Sequence, residues 1–413
     1  MEYLHHKSIP ATKNELELFS VPATQTVIDY YYEVGYRPSA SLESSSAFDF
    51  DIPASDDYTD LAETMIHIVG TIQKGNAALA TTDDAHPCTG VANALFQQVE
   101  FYLNGVNISP SNNLYHYQAY LEDLLFRHPS EIDHGSLMIE NEPTLKAIAK
   151  KEFDLFFRIH VPLSRQNSLL LSGIPMLVRL RRNPPYFGLV TASKDHAFKI
   201  NEITMHIKRV KLYPDVQMAL ETSLEKSPAR YFTTKNEVKT FVINTGLQSV
   251  NIENIFNGIM PKRMFVVFIK SNIMLGDGTK NPFYFDHLNV NFLATFMDGV
   301  QVPSIAYTPD FSKARFMREF VSLFKYANQH DSLPQMQVSY LKYTAGRTIF
   351  GFDYSPDSTL GAESGTLSLV KRGNIRLEVR FASALTTNVY MLVFGQFDTL
   401  IEIDRYRNIT LDM

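Results

Sequence analysis

Along this chain apolar and polar positions alternate with a period of two over many short stretches. Each stretch is closed off by Pro, Gly, Asn or Asp, the pattern of half-buried strands in sandwiches and barrels rather than of βαβ units. The alternation predicts strands over 26–34 (TVIDYYYEV), 64–72, 98–103, 155–161, 176–181 and 203–212. That is about the complement of one jelly roll. Residues 215–230 (DVQMALETSLEKSPAR) lose the alternation and suit a helix, and strands resume over 238–244, 264–269 (MFVVFI), 289–297, 348–354, 375–381 and 389–397. The organisation expected is a first β-domain with an N-terminal arm over 1–214, a linker over 215–230 and a second β-domain over 231–413.

Two landmarks recur at a fixed distance. FYLNGVNIS (101–109) and FMDGVQVPS (296–304) each centre on a dipeptide, Asn104-Gly105 and Asp298-Gly299, that supplies the two positive-φ residues of a type I′ hairpin turn. The glycines lie 194 residues apart (299 − 105). An amphipathic helix follows each turn, with Tyr117, Tyr120, Leu121, Leu124 and Leu125 in one and Phe316, Phe320, Leu323 and Phe324 in the other. Each stripe is expected to lie on its own sandwich. Further on, FFRIHVP ends at Pro162 and FGFDYSP at Pro356, again 194 apart (356 − 162). A repeat of this length exceeds the ~20 to 50 residues of solenoids and propeller blades. The reading is an all-β chain: two tandem eight-stranded jelly rolls with short inserted helices, one β-domain duplicated and diverged.

Composition agrees. At 413 residues the chain suits two cores, and its 29 Phe and 21 Tyr favour pleated surfaces. No apolar run approaches the ~20 residues of a membrane helix, so none is expected, and the start lacks a basic segment leading into an apolar one, so synthesis in the cytosol is the default. The lone cysteine, Cys88, excludes a disulfide framework. A net charge of −6 argues against a protein that coats nucleic acid, and the basic runs RLRR (179–182) and KRVK (208–211) read as solvated strand ends.

Motifs for chemistry are absent. There is no GxxxxGK[ST], HExxH or GxSxG, and GDGTK (276–280) has the wrong glycine spacing for a phosphate loop. His86 and Cys88 read as a surface loop rather than a nucleophile pair, since no orienting partner is visible. The acids of FDFDIPASDDYTD (48–60) lack the Gly and terminal Glu of a calcium loop and read as solvated loop. His5 and His6 fall in a mobile terminus, and His67, His160 and His206 are face or core histidines of predicted strands. The sequons at Asn107 and Asn408 carry no weight without secretion. No catalytic, cofactor or metal residues are predicted, and the positions singled out, Asn104, Gly105, Asp298 and Gly299, are structural turns.

Five blocks carry a resemblance: DDYTDLAETMIHIVGTI (56–72), LFQQVEFYLNGVNISPSNNLYHYQAYLEDLL (95–125), FKINEITMHIKRVKLYPDV (198–216), NIFNGIMPKRMFVVFI (254–269) and NPFYFDHLNVNFLATFMDGVQVPSIAYTPDF (281–311). In content and order they resemble the double jelly-roll major capsid proteins of Polinton or Maverick elements, adintoviruses and virophages. The resemblance implies a structural subunit and no enzyme. It would trimerise into pseudo-hexameric capsomers and form an icosahedral shell with a separate vertex (penton) protein. The shell would enclose double-stranded DNA without gripping it, and the protein would reside in the virion after synthesis in the host cytoplasm. The loops 110–114 and 303–310 are candidates for contacts between chains. An alternative is a carbohydrate-binding or glycan-processing double jelly roll, which needs two facing carboxylates and aromatic platforms; the chain has no Trp.

Overall fold

The computed structural model describes residues 6–8, 14–16, 18–19, 21–42, 45–80, 82–109, 112–126, 135–191, 193–256, 258–327, 338–356, 367 and 369–412. In the first half Ile28–Tyr36, His196–Leu212, Tyr58–Lys74 and Phe153–Arg158 pair antiparallel in that order as one sheet. Ala47–Ile52, Met176–Arg182, Phe96–Leu103 and Val106–Asn107 make a second. The second half repeats the order. Ala229–Ile243, Val389–Ile403, Arg263–Lys270 and Phe350–Asp353 form its long sheet, and Ser249–Ile252, Ile375–Phe381, Val290–Met297 and Val300–Tyr307 its short one. Two tandem eight-stranded jelly rolls, the fold class expected, are what the chain forms.

Burial explains why the strands of the two long sheets read differently. In Tyr58–Lys74, Ile66, Ile68 and Ile72 point into the sandwich while Met65, His67 and Val69 are only half-buried, so one covered face produces alternation. Every residue of Arg263–Lys270 except the last is buried. Met264, Val266 and Phe268 fill the second sandwich, and Phe265, Val267 and Ile269 enter a core shared with the first roll. Two covered faces abolish alternation, and MFVVFI becomes a continuous apolar run.

Two segments depart from expectation. The acidic stretch 48–60 is not all loop: Ala47–Ile52 is a strand with Phe48, Phe50 and Ile52 fully buried, and Asp49 on its other face accepts from Arg179 at 2.8 Å. Period-two alternation in FDFDI was the signal, masked by its acids. Residues 303–310 are likewise not a free loop, because Val300–Tyr307 is a strand paired with Val290–Met297. Between the rolls runs a helix, Pro214–Leu224, with proline in its first turn, where a missing N–H costs nothing.

Candidate functional site: the seam between the rolls

The helix Tyr115–Phe126 does not lie on its own sandwich alone. Tyr115 through Leu125 are all buried, because the apolar outer face of the second roll's long sheet covers the side that a single-stripe helix would leave to water. Tyr120 stacks on Phe283 with ring centroids 4.0 Å apart, Tyr117 meets the same ring edge-on, and Phe126 packs against Phe265 and Phe394. The helix is a wedge between the rolls.

Its two acids are buried with it. His160, expected inside a strand, sits just beyond the end of Phe153–Arg158. Its Nδ1 lies 2.9 Å from Glu122 Oε2 and its Nε2 3.2 Å from Asp123 Oδ1. Arg165 reaches Glu122 Oε2 at 3.5 Å, and Gln118 and Asn236 donate to Glu122 Oε1 at 2.9 and 2.7 Å. Asn93 donates to Asp123 at 2.8 Å. Burial works against ionisation of Glu122, but the hydrogen bond and charge of His160, Arg165 and the Asn236 amide outweigh it and hold its carboxyl at about 2. Two carboxylates therefore share one buried imidazole, with the Arg165 guanidinium beside them. Side-chain exposure of the three central groups is 1 to 4%, so no substrate reaches them. Asn236 belongs to the second roll, and the cluster is therefore a polar cross-link.

Further ties flank it. Glu140 of the first roll pairs with Arg347 and, at 3.0 Å, with Lys342 of the second. The Tyr231 hydroxyl donates to Leu169 O at 3.0 Å and accepts from the Leu171 N–H at 3.2 Å. Arg407 donates to Ser172 O at 2.8 Å and to Glu221 at 2.7 Å.

The turn residues occupy matching places. Asn104 and Gly105 have φ of 44° and 80°, Asp298 and Gly299 of 46° and 85°. Each turn's first N–H donates to the residue just before the neighbouring strand: Asn104 to Pro175 O at 2.9 Å, Asp298 to Asn374 O at 3.0 Å. Their side chains differ. Asn104 donates to Arg407 O at 2.9 Å, linking the first roll's turn to the C-terminal segment, while Asp298 accepts from the Asn374 N–H at 2.8 Å. Of the loop 110–114, Pro110 and Ser111 lie outside the described residues, and Asn112 donates to Val238 O at 3.2 Å within the same chain.

Other candidate chemistry is structural. His86 and Cys88 are buried rather than on a surface loop, and burial pushes the Cys88 thiol up, away from thiolate. His5 falls outside the described residues. The basic runs are not simply solvated: Arg179 is held by Asp49, Lys208 by Asp60 at 3.4 Å, and Arg209 is buried against Thr59. A cleft of about 540 Å³ on the second roll's short sheet offers one carboxylate, Glu378, engaged by Arg380 at 2.6 Å, where glycoside hydrolysis needs a facing pair. Among the described residues no group of three or more His, Cys, Asp or Glu is placed to hold a metal ion, and no helix is long and apolar enough to cross a membrane.

Comparison with solved structures finds a likeness of fold that runs the whole length of the chain. A subunit of the Sputnik virophage structure superposes with a TM-score of 0.63 at 10% identity, covering 100% of this chain and 94% of that one. The fold is a double jelly roll. The mavirus major capsid protein matches with a TM-score of 0.62 at 10% identity (100% and 97% covered), and the PBCV-1 virus capsid subunit with 0.61 at 11% identity (96% and 99%). A Caenorhabditis elegans protein, uncharacterized protein F54H12.2, is 22% identical over 376 residues, 86% of this chain and 87% of its own. No family model matches the sequence. In this double jelly roll His160 is the core histidine that the sequence suggested, but its joining to Glu122 and Asn236 was not legible, because the three lie 38 and 76 positions apart (160 − 122; 236 − 160). The one available signal was the acid pair Glu122-Asp123 inside an otherwise apolar helix.

Proposed function

We propose that this chain is a major capsid protein whose work is self-association. It forms a homotrimer of pseudo-hexagonal outline, and trimers join a separate vertex protein in a shell around double-stranded DNA. One observation carries the reading: over 96% or more of its length this chain superposes on chains of the Sputnik virophage, the mavirus major capsid protein and the PBCV-1 capsid, covering 94% or more of theirs. The physical logic is that two wedges fixed side by side present a different flank at each end, and heterologous flanks close into a ring. The expected units are 1–214 and 231–413 with 215–230 between them. The relative in a nematode, a cellular organism, favours the genome-resident Polinton or Maverick kind over a free virus.

Light scattering coupled to size exclusion tests the proposal. A mass near three times 47.0 kDa, with hexagonal outlines in negative stain, is expected. A monomer persisting at micromolar concentration across salt and pH overturns it.

A further inference from the structure

The short sheets of the two rolls match row by row on the face turned away from the sandwich, and one row has changed its chemistry between them. In the first roll Asp49, Arg179 and Glu100 stand abreast on neighbouring strands. Arg179 donates to Asp49 at 2.8 and 3.0 Å and to Glu100 at 3.5 Å, so the row is a closed ion triad. The matching row of the second roll is Asn251, Glu378 and Ala294. Glu100 and Ala294 are again 194 residues apart (294 − 100). A carboxylate stands where the central cation stood, and both flanking acids have given way to neutral groups.

Around this row lies the polar cleft of about 540 Å³, lined by Gln248, Ser249, Asn251, Asn291, Glu378 and Arg380. Its volume falls within the ~300 to 1,000 Å³ of small-molecule sites. Arg380, from the next row, sits over the Phe292 ring 4.6 Å from its centroid and aims Nε and Nη2 at one oxygen of Glu378, Oε1, at 3.0 and 2.6 Å. The other oxygen, Oε2, accepts nothing from the described residues. The side chains of Ser249, Asn251 and Asn291 likewise have no hydrogen-bond partner among them, and Gln248 uses only its Nε2, on Ala382 O at 3.3 Å.

These groups select a ligand by what they can exchange. A carboxylate oxygen only accepts, a guanidinium only donates, and side-chain amides and hydroxyls do both. Glu378 and Arg380 cancel in charge, and Glu253 and Arg376, further along the same two strands, add one charge of each sign. Neither an anion nor a cation is favoured. Adjacent hydroxyl groups fit the array, because each can donate to Oε2 or an amide oxygen while accepting from an amide N–H.

We propose that this cleft binds a neutral carbohydrate, held by Glu378 Oε2 and the side-chain amides of Asn251 and Asn291. The site binds without cleaving, since hydrolysis needs a second, facing carboxylate. The inference is independent of the assembly reading, because a monomer and a trimer carry the same cleft.

Saturation-transfer NMR on the full chain tests it, with lactose, maltose, diacetylchitobiose and mannobiose each at about 10 mM, above the millimolar Kd expected of a small open site. At least one should bind. Titration should then show Glu378→Gln weakening that disaccharide about tenfold or more, with a smaller loss for Asn291→Ala, as each removes a hydrogen bond to the sugar. Asn291 is exposed and unpartnered, so Asn291→Ala keeps the fold and carries the comparison should Glu378→Gln not fold by circular dichroism. Failure of all four sugars to bind, or binding that neither variant weakens, overturns the proposal. So does preference for sialyllactose, which marks an anion site, or for an oligolysine peptide, which marks Glu378 as the seat of a cation.

Discussion

The Asn236 amide donates to the Glu122 carboxylate across 2.7 Å, and with that bond the second jelly roll reaches into a charge cluster built on a helix of the first. Removing either partner strands buried polar groups. Glu122→Ala leaves His160 and Arg165 without their shared carboxylate and should cost about 3–5 kcal/mol. Asn236→Ala removes one donor from a carboxylate that keeps others and should cost about 1–3 kcal/mol. Urea unfolding at neutral pH measures both, and an Asn236→Ala loss as large as that of Glu122→Ala would contradict the ranking.

Acid should act on the seam through two depressed groups. Glu122, ordinarily near 4.5, is held at about 2, so its contribution is whole above about 4.5 and lost as pH falls toward 2. His116, ordinarily near 6.5, is pushed down to about 3 by burial, and its Nδ1 has no hydrogen-bond partner among the described residues. Between those values the unfolded chain holds a proton that the fold does not, so stability falls as pH drops from about 6.5, by about 1.4 kcal/mol per unit for this one group. His116→Phe keeps the ring against Phe187 and should flatten the slope between pH 6 and 4 by that amount. An unchanged slope would assign the acid sensitivity elsewhere.

At the repeated turns the cost of a side chain is conformational. A Cβ at Gly105 or Gly299 would meet nothing within 4 Å, yet φ is +80° and +85°. Valine at either position should lose about 1–3 kcal/mol, and Gly105→Asn much less, because asparagine tolerates the left-handed region. Thermal melting of the three variants distinguishes strain from crowding, since crowding would penalise asparagine and valine alike.

What the sequence showed and what it hid follow from which faces are covered. The alternation in Tyr58–Lys74 and the Asn-Gly and Asp-Gly turns were legible because they are local and one-sided. The wedge role of Tyr115–Phe126 was not, since YHYQAYLEDLLF shows an apolar stripe whether its other side meets water or a second roll. MFVVFI held the complementary clue: a strand with no polar face must be covered twice, and only a second body can do that. The Glu122–His160–Asn236 cluster joins three separated segments, and no spacing rule reaches that far. His86 and Cys88 misled because a Pro between them suggested a loop, while burial is decided by what packs over it.

If the protein encloses nucleic acid, it should do so without gripping it. Salt-sensitive DNA affinity comes from cations free to replace counterions on phosphates. Here the net charge is −6, and the two densest basic runs are committed internally: Arg179 to Asp49 and Glu100, Lys208 to Asp60, Arg209 to Thr59. Freeing such a cation for a phosphate would break an ion pair already made, so the net gain per contact is small. Fluorescence anisotropy with a labelled duplex should show binding no tighter than the non-specific range, roughly 10⁻⁴ to 10⁻⁶ M at physiological salt, with a shallow dependence on salt. The informative variant is the double substitution Asp49→Asn with Glu100→Gln, which removes both carboxylates that hold Arg179. It should tighten binding and steepen the salt slope by about one unit, whereas a parent that already binds in the nanomolar range with a slope of several units would show that cations outside these runs face the DNA.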